Sequence, residues 1–258
     1  MRLPSFVFTL CLLLAVAFAP LPARADLTDA SKSVLFEPVQ ISQLTTDDKR
    51  YLQMALAFEN LYVGLLDGQW GAGSRKALTR YSYERFDTAP INDHLAELSL
   101  GMSKRIAFSG WDMDYLKTYG MSLLFPHIAY YEEPDSGSFE NWHHTRSSLA
   151  IAASRTDLAG VKSHHAFGLD QPADDTPYTV RRDGTWITST RGNNRLLYIR
   201  SDYVDSGWTT IILSAAQTDQ GLLNAVAASL APGRRAPIEH SKDGMLDRIV
   251  NLHLGIGD

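Results

Sequence analysis

Four short runs in the second half of the chain, Tyr178 to Arg182, Trp186 to Thr190, Leu196 to Ser201 and Thr209 to Ala215, read as strands separated by turns. Asp183-Gly184 and Gly192-Asn193-Asn194 supply hairpin chemistry between them, because Gly and Asn accept the positive φ that tight β-turns demand. Strands linked this closely pair antiparallel, since parallel neighbours need a crossover of a dozen or more residues. The second half is therefore committed to an antiparallel meander. Tyr119 to Pro126 and Ser147 to Ala153 read as two earlier strands. A helix from Asp219 to Leu230, with Leu222, Leu223, Val226 and Leu230 on its inner side and Pro232-Gly233 ending it, covers one face of the sheet.

The first half follows a different period. From Asp47, Tyr51, Leu52, Ala55, Leu56 and Glu59 recur at three and four; Ser74 to Tyr81 gives a second short helix. A third runs from Ile91 to Phe108, opened by Pro90 and striped by Leu95, Leu98, Met102 and Ile106. The predicted class is α+β: a small three-helix N-terminal domain, then an antiparallel-sheet α/β sandwich with a C-terminal helix. The expected division is a leader at 1–25, a polar, Pro-interrupted extended lead at 26–46, a helical domain at 47–110, the sheet domain at 111–233 and a tail at 234–258. In that tail Met245, Leu246, Ile249 and Val250 have helical spacing, suited either to docking on the body or to contacting a partner.

Arg2, the apolar run Phe6 to Phe18 and the small-x-small site Ala23-Arg24-Ala25 form the three parts of a secretory signal peptide. The run is shorter than a membrane span needs, and Pro20 and Pro22 break it, so no transmembrane segment is expected after cleavage. Cys11, the single cysteine, lies inside the leader. Disulfides, a cysteine nucleophile and thiolate metal sites are then excluded from the mature chain. Removing Arg2 and Arg24 leaves 22 basic against 29 acidic side chains, a formal charge of −7, and no Lys/Arg-rich run appears. General nucleic-acid binding, which needs concentrated positive charge, is not expected.

Between the first two helices lies a glycine-punctuated loop. Asp67-Gly68 reads as a tight turn, Gly71 and Gly73 permit close approaches, and Ser74 can cap the second helix. Leu52-Gln53, Asp67-Gly68-Gln69-Trp70-Gly71, Ser74 and Ala77-Leu78 resemble the pattern of the small helical peptidoglycan-binding domain of exported bacterial wall enzymes, over residues 51 to 81. Glu59-Asn60-Leu61-Tyr62 departs from the Leu-Gly-Tyr-like turn usual in that family, and Tyr81-Ser82 from its aromatic-Gln pair. Tyr119-Gly-Met-Ser-Leu-Leu-Phe-Pro126 and the stretch Trp208 to Pro232 resemble the opening and closing elements of the PsbP/Mog1-like α/β sandwich, a group without a shared catalytic site. These resemblances imply wall-binding ancestry, a periplasmic or secreted location, and no enzymatic chemistry.

The candidate ligand-binding residues are Tyr62, Asp67, Gln69 and Trp70. In a glycan site the Trp70 ring stacks on a hexose face while the other three supply polar groups; the plainer alternative tucks Trp70 under the loop and has Asp67 bond its own turn. Tyr130, Tyr131, Phe139 and Trp142 form an aromatic-rich loop, suited to a protein or glycan partner or to core packing. Adjacent His143-His144 and His164-His165 could each offer one metal ligand, since neighbours on a strand point to opposite faces; solvated loop histidines are the plainer reading, and no metal or cofactor is expected. Arg181, Arg182, Arg191, Arg195 and Arg200 lie in the meander, where alternate ones sharing a face would bind anions.

No Gly-x-Ser-x-Gly or His-Glu-x-x-His occurs, and Glu132, Glu133 and Asp135 read as an acidic surface loop rather than a glycosidase pair. The expected function is a non-enzymatic periplasmic envelope protein, with peptidoglycan and an envelope protein as its possible partners. A cell-wall hydrolase accessory or divergent hydrolase is one alternative. The other is a structural assembly factor without glycan binding, whose helices only pack against the sheet.

Overall fold

The computed structural model describes residues 33–256, so the expected leader and the first residues of the lead lie outside the described residues. Helix α1, Thr46–Phe58, starts where its sequence caps it: the Asp48 backbone N–H donates to Thr45 Oγ1 at 3.1 Å, and the Thr45 N–H donates to Asp48 Oδ2 at 3.0 Å. Such a reciprocal box satisfies two otherwise orphaned donors and is worth about 1 kcal/mol. Every residue from Tyr51 to Phe58 is buried. A helix covered on all sides sits at the centre of a packed unit rather than at its surface.

Helix α2, Ala72–Phe86, and helix α3, Asn92–Ser109, complete the predicted trio, and α1 packs on both. The tail docks. Its helix α6, Met245–Leu254, lies on α3, where His253 Nδ1 stands 2.7 Å from Asp93, and the Ser241 N–H donates to Asp48 Oδ1 at 2.9 Å. The lead departs from the extended chain expected of it: a helical turn spans 33–35 and a 3₁₀ turn spans Ile41–Gln43. Leu35 and Leu44 explain the difference, because both are drawn into the core, while Asn92 Nδ2 donates to the Val34 carbonyl.

Strands β1, Trp111–Leu116, and β2, Met121–Pro126, pair antiparallel; β2 is buried along its whole length, and the short β10, Ala231–Pro232, closes a three-stranded sheet on its other edge. The large sheet has seven antiparallel strands in the order β3-β4-β5-β9-β8-β7-β6. Its members are β3 Tyr130–Ser136, β4 Phe139–His144, β5 Ala150–Thr156, β6 Tyr178–Arg182, β7 Thr185–Gly192, β8 Arg195–Val204 and β9 Gly207–Ala216. The meander is as the turns require: Asn193 and Asn194 both take positive φ in a two-residue link, and Asp205-Ser206 makes a second such link between β8 and β9.

The sequence expectation lacks strands β1, β3, β4 and β10 and one helix. The aromatic-rich loop is the hairpin β3–β4, whose edge strand β3 tolerates Pro134 because an edge residue has no ladder partner to lose on its outer side; the register shifts between Glu133 and Ser136. Between β5 and β6 an unanticipated helix α4, Leu158–Leu169, is capped by Asp157, which accepts from the Gly160 N–H. Its buried residues are Val161, His165 and Gly168, so it lacks the apolar stripe by which helices are recognised.

Helices pack on both faces of the large sheet, leaving part of one face open. Helix α5, Gln220–Ser229, lies on the face carrying Ile211, Leu213 and Ala215, and joins it to α1 and β2. A Cβ on Gly221 would strike the Phe58 carbonyl, so this glycine lets α5 seat directly against the end of α1. One apolar cluster consequently runs from Leu35 through the helices and the sheet to Leu252.

Candidate functional site

Gln53 is fully buried at the middle of α1 and faces the glycine-punctuated loop. Its Oε1 accepts from the Gly68 N–H at 2.9 Å, and its Nε2 lies within donating distance of Tyr62 Oη, the Gln69 carbonyl, Ser74 Oγ and Asp67 Oδ1. One amide therefore organises the whole turn. Tyr62 Oη in turn donates to the Leu65 carbonyl, and burial raises the Tyr62 pKa, so it stays a phenol.

These contacts decide what the predicted ligand residues do. Tyr62 is buried and its hydroxyl is committed to the loop. Asp67 is exposed, yet Oδ1 accepts from the Gln69 N–H at 2.8 Å, the bond to its own turn given by the plainer alternative. Trp70 packs half-buried against the core, with its indole Nε1 shielded and unpartnered among the described residues. Its ring is therefore partly covered by the core. The Gln69 side chain remains exposed.

Three grooves share this loop as a wall. On the helical side a groove of about 480 Å³ is bounded by Tyr62, Gln69, Gly73, Lys76 and Arg80. On the sheet side a groove of about 660 Å³ lies between Val63 and Leu65, the β6–β8 strands and α5. At the end of α5 a third, of about 610 Å³, is bordered by Leu65, Arg50, Arg200, Arg234 and Arg235. Volumes of this size match small-molecule sites. The sheet-side groove exists because α5 is too narrow to cover the full width of the strands beneath it, leaving Tyr178, Ile187 and Tyr198 at its margin.

The predicted partner residues divide between the two sheet faces. Tyr130 and Trp142 point to the core, both edge-on to Phe125, and Trp142 is only 8% exposed, so it offers a partner no surface. Tyr131 is exposed and stacks on His143, while Phe139 meets His164 edge-on on the opposite face from Trp142. Strand alternation splits what the loop reading had grouped.

The first histidine pair is split in the same way, whereas His164 and His165 lie on helix α4, not in a solvated loop, and both face the sheet. His143 stands 3.3 Å from Glu133 on the exposed edge hairpin, whereas His144 is buried against Trp111 with its ring nitrogens on Ser147 and Ser109. His165 is 1% exposed under α4, with Nδ1 2.7 Å from Thr188 Oγ1 and Nε2 3.1 Å from Ser201 Oγ. Among the described residues no cluster of three or more His, Cys, Asp or Glu is arranged to hold a metal ion. Burial, then the nearby Arg181 charge and His164, push His165 down to about 4; burial also lowers His144 and His164.

A Ser–His contact invites a hydrolase reading, but its surroundings oppose it. Ser201 is fully buried, α4 seals the pair, and His165 Nδ1 meets a threonine hydroxyl rather than a carboxylate. One direction of donation satisfies the entire buried chain: Arg181 to Thr188, Thr188 to His165, His165 to Ser201, Ser201 to Thr210, and Thr210 to His164. This network, invisible in the sequence as a motif, is structural. Glu132, Glu133 and Asp135 lie on the exposed edge strand β3.

Neither a family model nor a curated protein matches this chain. Among the described residues, no helix is long and apolar enough to cross a membrane.

Proposed function

We propose that this is an exported, non-catalytic cell-envelope protein that binds peptidoglycan along the groove between loop 61–74 and α2, and that its sheet serves as a partner-recognising body. The observation that carries this reading is the loop itself. Buried Gln53 holds the Asp67–Gly71 turn rigid beside a groove whose rim bears Lys76 and Arg80, with the Gln69 side chain exposed. Lys76 and the exposed amide suit a glycan that carries carboxylates, Arg80 being held by Glu84 at 2.6 Å, and a preorganised rim lowers the ordering cost of binding. The leader pattern at 1–25 and the resemblance of residues 51–81 to wall-binding domains support the compartment and the ligand class.

Purified sacculi test the reading. The intact protein is expected to sediment with them, and Lys76→Glu combined with Gln69→Ala to reduce the bound fraction several-fold while leaving Tm unchanged. Absence of sedimentation by the intact protein removes the wall-binding claim.

A second reading draws on the continuous core. Because α1, α5 and β2 pack as one unit, the helices also suit a structural role in which they brace the sheet without binding glycan. Equal sacculus sedimentation by the intact protein and the Lys76/Gln69 double variant at background level would favour it.

A further inference from the structure

The apolar face of the large sheet is incompletely covered, and its margin adjoins a group of arginines. Val63, Leu65 and Tyr178, respectively 79%, 58% and 62% exposed, border the sheet-side groove, whose floor includes Ile187, Leu196 and Leu223. Large apolar side chains gathered around a concave surface mark a binding site more often than singly scattered ones do. The neighbouring groove at the end of α5 shares Leu65, Arg200 and Ala228 with it. Apolar and cationic surfaces therefore meet at one threshold.

Two of the four arginines there are outside any ion pair among the described residues. Arg200, its side chain 12% exposed, gives Nε and Nη2 to Asp202 and Nη1 to the Leu230 carbonyl, and also bonds the Tyr198 hydroxyl, so its charge is already matched within the fold. Arg50 faces Asp47 at 3.6 Å and leans on backbone carbonyls. Arg234 lies over the Tyr115 ring at 4.7 Å, and neither Arg234 nor Arg235 enters an ion pair among the described residues. Asp67 on this rim accepts from its own turn but keeps its charge, and Asp175 lines the sheet-side groove, so the cationic excess that meets an acidic head is that of Arg234 and Arg235.

We infer that the joined grooves bind a single-chain anionic amphiphile, its acyl chain lying along the sheet margin between loop 61–66 and β6–β8 and its acidic head meeting Arg234 and Arg235. An uncharged apolar ligand would leave the arginines unused, and a small anion would leave the apolar margin wet. Charge complementarity selects an occupant with both parts. The site lies on the other side of the loop from Lys76 and Arg80, which border only the helical-side groove, so it stands or falls separately from wall binding.

The test uses the full mature chain and a fluorescent dansyl-undecanoate probe, displaced in turn by laurate, dodecyltrimethylammonium and dodecyl maltoside. Saturable probe binding is expected, with laurate displacing at about tenfold lower concentration than the cationic or uncharged amphiphile of equal chain length. Arg234→Glu with Arg235→Glu is expected to erase that head-group preference at unchanged Tm. Leu65→Asp is expected to weaken binding of every probe. No saturable binding, equal displacement by all three amphiphiles, or an unaltered preference in the arginine double variant would overturn the inference. So would co-sedimentation with phosphatidylglycerol vesicles in the absence of probe binding, since that would place the ligand in a membrane surface rather than in the grooves.

Discussion

The two faces of the seven-stranded sheet are built from the same strands by opposite chemistry. Toward α5, Ile211, Leu213 and Ala215 alternate along β9 with Ile151 and Ala153 opposite, and all join the main apolar cluster. Toward α4, the intervening positions are Thr210, Ser201 and Thr188, gathered around His165; the buried Val161 and Ile199 there stand outside that cluster. One face is held by area removed from water, which is non-directional and forgiving of small shifts. The other is held by hydrogen bonds whose donors and acceptors must match in position and direction, and which cost most when one member is lost.

The largest effect should come from the apolar face. Leu213→Ala removes a fully buried side chain beneath α5 and is expected to cost about 2–5 kcal/mol in urea unfolding. A loss below about 1 kcal/mol would mean that the two faces differ less than their composition implies.

The polar face should announce itself through pH. The unfolded His165 binds a proton near 6.5, whereas the folded one resists it down to about 4, so between those values the unfolded state holds more protons. Stability should therefore fall as pH drops from 6.5 toward 4, by up to about 3 kcal/mol from this residue, and level off below. His144 and His164, also lowered by burial, contribute with the same sign. Denaturation midpoints followed from pH 7 to pH 4 should flatten in His165→Gln; a slope identical to that of the parent would show that His165 carries none of it.

The smallest contrast is between two glycines. In α5 a Cβ on Gly221 meets the rigid Phe58 carbonyl, while in α4 a Cβ on Gly168 meets the methyl end of Ile199 at 2.8 Å. Gly221→Ala is expected to cost near the upper end of the overpacking range of about 1–3 kcal/mol. Gly168→Ala should cost less, since Ile199 can yield and the helix gains from alanine. Thermal melts of the two variants in the reverse order would show that α4 is the more tightly seated helix.

The same contrast explains how much could be read in advance. Residues that act through local rules were legible. Asn193 and Asn194 turn the meander, and Leu95, Leu98 and Met102 stripe α3. Helix α4 was not legible, because its inward positions are valine, histidine and glycine, and the hydroxyls that make such a face burial-worthy come from β7, β8 and β9. Asp157 ahead of Gly160 was its one available local signal. The β3–β4 hairpin was hidden by Pro134, which reads as a breaker until its strand is known to lie at an edge. At the site, the turn Asp67–Gly71 was evident while the role of Gln53 was not, since its bonds reach up to 21 residues along the chain. Nor could the sequence divide Tyr130, Tyr131, Phe139 and Trp142 between two faces without the strand register.

The amino-acid sequence by itself determined the α+β class, the central three helices, the meander and the rigid glycine-punctuated turn, because propensity, capping and turn chemistry act over a few neighbouring residues. Only the tertiary structure decided that Trp70 packs half-buried on the core, that His165 is sealed in a hydroxyl network, and that one loop separates three grooves. Burial and charge complementarity are properties of surfaces brought together from distant parts of the chain, and no local pattern records which surfaces will meet.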